Sequence, residues 1–174
     1  MNLNGKTALV TGSTSGIGLG IARVLAKAGA QLILNGFGDS DAAREEIARL
    51  GKKPGYHDAD LRDTLQIDAM MRYADTQFGG VDILINNAGE APSAPFEKTS
   101  LEMWSQVLAV DLTGVFQVTQ AVLPDLKAYG TNARIINIAS TAGLTGYAYV
   151  SAYCAAKHCV IGLTRALALE LATK

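Results

Sequence analysis

Charge of neither sign is in surplus in this 174-residue chain: 15 Lys and Arg against 16 Asp and Glu leave a net charge of −1. Without a basic excess there is no electrostatic footprint for a nucleic acid or an anionic membrane. Cysteine is nearly absent. Cys154 and Cys159 fall on one predicted helix at a spacing that turns them to different faces, so a disulfide does not suit them and a reducing compartment does. No further cysteine pair accompanies them to build a zinc site. The opening MNLNGKTALVTG lacks both the charged start and the apolar run of a secretory signal. No apolar run approaches the roughly 20 residues that a bilayer requires. Linkers, low-complexity tracts and fixed-period repeats are also missing, so one domain over 1–174 is expected. What is present is 49% hydrophobic, enough for a substantial core and too much for a disordered chain. These absences together describe a soluble cytoplasmic protein.

Short β-branched or leucine-rich runs alternate with longer helical patterns. TALVT (Thr7–Thr11), QLILN (Gln31–Asn35), VDILIN (Val81–Asn86) and RIINIA (Arg134–Ala139) have strand length and little polar alternation, which suits strands covered on both faces. A weaker strand is expected within 54–59. Helices are predicted over Gly16–Ala28, Ser40–Leu50, Thr64–Phe78, Trp104–Lys127 and from Ser151 onward. Strand–helix repetition at this spacing argues for an α/β fold: a doubly wound, Rossmann-like parallel sheet in three layers.

TGSTSGIG (Thr11–Gly18) follows the first strand directly and opens the first helix. Glycine at 12, 16 and 18 lets the backbone turn sharply and approach a pyrophosphate, while the helix N-terminus offers amides to its charge. Ser13, Thr14, Ser15 and Ile17 complete this candidate cofactor loop. GKT at Gly5–Thr7 echoes the end of an ATP-binding loop but precedes its strand, so it is read as part of the approach to that strand. An acid at the end of the second strand would bind an adenosine ribose, and an arginine there would favour a 2′-phosphate. This strand ends in Asn35, Gly36 and Phe37, with no Lys or Arg at 13–15 or 35–38. NAD is therefore expected over NADP, with Phe37 among the residues that bind it.

In an open parallel sheet, ligands bind beyond the carboxyl ends of the strands. The glycine loop, NNAG (Asn86–Gly89) and Ser140 all fall there. Tyr153 and Lys157 follow Ser140 and stand four apart, on one helix face. A nearby ammonium stabilises a phenolate, so Tyr153 is placed to exchange a proton with a carbonyl or alcohol oxygen that Ser140 holds. The nicotinamide carries the hydride, leaving the protein to orient and polarise.

TGxxxGIG, NNAG, a serine after the fifth strand and YxxxK, in this order, resemble the short-chain dehydrogenase/reductase family from about residue 6 to the end. The wording of LNGFGD and INIASTAGL is similar to its bacterial 3-hydroxybutyrate dehydrogenase branch. The resemblance implies Ser140, Tyr153 and Lys157 as catalytic, with Tyr153 and Lys157 also against the cofactor. It implies Asp60 and Leu61 beside the adenine, and Asn87, Ala88 and Gly89 along the dinucleotide. It further implies a homodimer or homotetramer built on the helices at 104–127 and 151–172, whose apolar residues cover more than one side.

Two departures stand out. DLTG places Asp111 where the family carries an asparagine that joins a water relay to the lysine. The family also continues through two more strands and a segment over the substrate, so this chain is expected to be C-terminally truncated, with RIINIA left as a sheet edge. Where the hydroxybutyrate branch typically has polar side chains, this chain has Ala91, Pro92, Ala142 and Val150, so a less polar ketone or alcohol is as good a candidate as a small acid. The alternatives are a cofactor-binding module without turnover and an NAD-dependent epimerase or dehydratase; the glycine spacing disfavours the latter. His158 and Cys154 are read as packing residues and His57 as an exposed loop residue.

Overall fold

The computed structural model describes residues 2–172. Its elements alternate as expected: β1 (Thr7–Val10), α1 (Gly16–Lys27), β2 (Gln31–Asn35), α2 (Ser40–Ala48), β3 (Gly55–His57), α3 (Thr64–Phe78), β4 (Ile83–Asn86), α4 (Leu101–Leu108), α5 (Val115–Tyr129), β5 (Arg134–Asn137) and α6 (Ser151–Leu171). The five strands are all parallel in the order β3-β2-β1-β4-β5. The chain thus builds outward from β1 in one direction and then starts again beside it with β4. That reversal opens a crevice above the carboxyl ends of β1 and β4.

Over β1, β2 and β4 both faces of the sheet are covered, which is why these strands read as continuous apolar runs. Successive side chains of a strand point to opposite faces. Ala8, Val10, Leu32, Leu34, Ile83 and Ile85 pack with Leu19, Ala22 and Leu25 of α1 and Ile47 of α2. Leu9, Ile33 and Leu84 pack the other way, with Ile67 and Met70 of α3 and Val118 and Val122 of α5. At the bottom edge, Asp82 accepts from Lys6 Nζ and from the Thr7 amide, both at 2.8 Å, which ties β1 to β4.

Three expectations need correction. Residues Leu101–Asn132 form one helical stretch whose apolar window, with a mean hydropathy of 1.4, is long enough by length and composition to cross a membrane. Here one side of it faces inward: Val118, Val122 and Leu126 pack against the sheet, and Val107 packs with Ala152 and Ala156 of α6, all buried. His57 belongs to β3 rather than to an exposed loop. On α6, His158 is exposed and Cys154 is half-buried, so neither is a core residue.

Candidate functional site

Loops from β1 and β4 form the walls of the crevice, and side chains stitch them together. The amides of Asn87 and Ala88 both donate to Thr11 Oγ1 at 3.0 Å. The Asn87 side chain donates back to the carbonyls of Thr11 and Gly12, again at 3.0 Å. This approach leaves no room for side chains at two glycines. A Cβ on Gly12 would lie 2.8 Å from Ala88 Cα, and one on Gly18 would strike the Gly12 carbonyl. Gly12 also has φ +61°, a conformation that side chains resist. No side chain caps the start of α1, whose first residues Gly16, Ile17 and Gly18 line the crevice.

The resulting cleft has a volume of about 410 Å³. It brings together Gly12, Thr14, Ser15, Gly16, Ile17 and Gly18 with Phe37, Asn87, Ala88 and Gly89, and reaches Tyr153 and Lys157 at its far end. Phe37 is 66% exposed on the rim, its carbonyl held by the Thr14 hydroxyl. A second, apolar groove of about 380 Å³ between α5, β5 and α6 lies away from these residues.

At the far end, α6 presents Lys157 and Tyr153 from consecutive turns. The ammonium of Lys157 sits 5.4 Å from the centre of the Tyr153 ring and donates to the Ile138 carbonyl at 3.2 Å. Its other neighbour is Asp111 Oδ2, also at 3.2 Å. That contact is one of charge rather than of an aligned hydrogen bond, since Oδ2 has no well-directed donor. Asp111 is buried completely, and its Oδ1 accepts from the Glu90 amide at 2.9 Å. Burial pushes its carboxyl above the ordinary value of 3.8, while the Glu90 amide and Lys157 pull it back. The backbone around Asp111 widens into a π-turn, Ala109–Gly114, between α4 and α5. Such turns interrupt a helix to re-aim a side chain and recur at functional sites.

Several residues singled out from the sequence stand elsewhere. Ser13 is turned into the protein: its hydroxyl donates to the Val10 carbonyl at 2.7 Å and its amide to the Asn35 carbonyl at 2.7 Å. That leaves it no donor for a phosphate. Asp60 and Leu61 do not line the cleft. Leu61 is buried, and the Asp60 carboxylate is gripped by the Arg62 guanidinium, which holds its pKa below 3.8. Ser140 follows the lining residues Ile138 and Ala139; its Oγ accepts from the Ala142 amide at 3.1 Å, leaving its hydroxyl proton free to donate.

The cleft also has lining residues not named for the cofactor: Glu90 and Ala91, of which Ala91 was expected only on the substrate side, with Ile138 and Ala139. The first two simply continue the NNAG loop, so the strand-end rule could have found them. Thr11 opens the glycine motif, but no role was expected of its hydroxyl, which is the knot between the loops.

Residues 6–174 match the family model described as short chain dehydrogenase. Over 172 residues the chain is 54% identical to the D-beta-hydroxybutyrate dehydrogenase of Cupriavidus necator, a match covering 98% of this chain and 66% of that relative. The protein of the same name from Rhizobium meliloti is 47% identical over 171 residues, covering 96% and 66%. Among solved structures, a variant of actinorhodin polyketide ketoreductase with NADPH superposes with a TM-score of 0.91 at 39% identity, covering 96% of this chain and 65% of that one. The chain therefore spans just under two thirds of the length of these relatives.

Proposed function

The chain belongs to the short-chain dehydrogenase family, and from that premise we propose that it transfers a hydride between a nicotinamide dinucleotide and a ketone or secondary alcohol. One observation carries this reading: Tyr153 and Lys157 share a single cleft with the glycine loop. The residues present fit a dinucleotide. Gly12 and Gly18 let the two loops close on each other, Gly16, where a Cβ would meet nothing within 4 Å, leaves backbone facing the cleft, and the uncapped start of α1 suits the charge of a pyrophosphate.

When bound, the nicotinamide supplies or accepts the hydride. Tyr153 gives its phenolic proton to the carbonyl oxygen during reduction and takes one back from the alcohol during oxidation. Lys157 places positive charge 5.4 Å from that ring. The Ser140 hydroxyl donates to the same substrate oxygen and fixes its position. Replacing Tyr153 with Phe removes the proton and little else. Turnover, followed at the nicotinamide absorbance with a panel of ketones and alcohols, is expected to fall by at least about 100-fold. Dinucleotide binding is expected to stay within about twofold. An unchanged rate would refute the assignment.

Of the two dinucleotides we assign NAD, because no cation stands at 13–15 or 35–38 to meet a 2′-phosphate. The Asn35 side chain does not enter the choice, since it donates to the carbonyls of His57 and Ala59. Tighter NADP binding in calorimetry would reverse this. A homodimer or homotetramer and a cytoplasmic setting complete the proposal. A second reading has specific support: with β5 at the sheet edge and a third of the relatives' length unmatched, the chain binds the dinucleotide but needs a further segment or partner chain for turnover.

A further inference from the structure

Glu90 follows the NNAG loop and is used by nothing described above except through its backbone. Its amide, bonded to Asp111 Oδ1 at 2.9 Å, fixes it one residue from the Asp111–Lys157 pair. Its side chain lines the cleft, and Oε1 is buried without a hydrogen-bond partner. A buried carboxyl oxygen of this kind costs free energy until a donor reaches it.

The positive charge around it is already engaged. Lys157 is the one lysine or arginine among the described lining residues, and its ammonium is held by Asp111 and the Ile138 carbonyl. The guanidinium of Arg62, which feels the Glu90 charge, is forked onto Asp60 at 2.6 to 3.0 Å. Glu90 and Asp111 repel one another across this short span. The catalytic end of the cleft thus carries two acids against one committed cation.

We propose that Glu90 determines the charge of the substrate: its carboxylate, one oxygen buried without a donor and the other accessible in the cleft wall, favours a neutral ketone or alcohol bearing a further hydroxyl, which donates to the accessible oxygen, and disfavours a substrate bearing a carboxylate. This deepens the hydride-transfer reading and rests on it. Like charges brought together in a desolvated site are costly, so the preference should exceed tenfold. The consequence runs against the names of the two D-beta-hydroxybutyrate dehydrogenases that this chain resembles.

The test compares two ketones of matching size, 3-oxobutanoate and 4-hydroxybutan-2-one, in which a carboxylate is exchanged for a hydroxymethyl group. Their binding to the full chain loaded with oxidised dinucleotide, where no turnover intervenes, is measured by calorimetry. The wild type should prefer the hydroxyketone by at least about tenfold. Glu90→Gln and Glu90→Ala should each reduce that ratio by about tenfold. Glu46→Gln, which neutralises an acid paired with Arg23 outside the cleft, should leave it unchanged. Circular dichroism confirms that each variant is folded, and either cleft variant suffices if the other is not. A preference for the oxo acid, a ratio indifferent to Glu90, or binding of neither ketone would overturn the inference. Hydride transfer, assayed separately, divides the two readings. A Glu90-dependent ratio without transfer sinks only the enzymatic reading, whereas transfer to both ketones at equal efficiency sinks only the role of Glu90.

Discussion

At the scale of single residues, the unusual feature is a carboxylate, Asp111, fully buried against a buried lysine. Burial raises its pKa above 3.8, so the folded chain holds this proton more tightly than the unfolded chain does. That contribution to stability is complete below the unfolded value and is lost as pH rises through the folded one. Asp111→Asn abolishes it. In urea titrations the stability lost on substitution should therefore be larger at about pH 3.5 than at about pH 7. Turnover should be kept or increased, because an asparagine oxygen can still accept from the Glu90 amide; a large loss would give the acid a role of its own. Gly12 offers a second prediction. Gly12→Ala puts a methyl 2.8 Å from Ala88 Cα at φ +61°. It should cost about 1–3 kcal/mol in denaturation and weaken dinucleotide binding measured by calorimetry.

Among the elements, β5 is the exposed one. It closes the sheet order on one side, and its Ile136 is 46% exposed. A bare edge with apolar side chains is a template for pairing with other chains. Ile136→Lys should reduce aggregation followed by light scattering, with the melting temperature moved by only a few degrees, roughly the effect of 1 kcal/mol in a chain of this size. The helices show how far local pattern reaches. Thr64–Phe78 was legible to the residue, with Gly79 at φ +73° closing it as a left-handed cap. The start of α4 was misread at Trp104. It begins at Leu101, since the Ser100 hydroxyl caps it by accepting from the Met103 amide at 3.1 Å. The π-turn that aims Asp111 had no signal in the hydrophobic period, because it follows from how the helix crosses the site.

For the whole molecule, the apolar surface left uncovered matters most. Phe116 is 47% exposed on α5 and Leu169 is 84% exposed on α6. Such faces suit burial against a symmetric copy. Light scattering should give a mass at least about twice the 18.2 kDa of the chain, and Phe116→Glu with Leu169→Glu should lower it. A monomer in the unmodified chain would remove the oligomer from the proposal while leaving the cleft intact.

By itself the sequence determined the order of strands and helices, the glycine loop and the pairing of Tyr153 with Lys157. Each of these depends on backbone periods or spacings of a few residues, which local chemistry enforces. Only the tertiary structure decided that Ser13 turns inward, that Asp60 is spent on Arg62, that Asp111 reaches Lys157, and that Glu90 stands in the wall of the cleft. Those outcomes depend on which distant segments the sheet order brings together, and on which polar groups find partners once water is gone. Neither leaves a mark in a run of neighbouring residues.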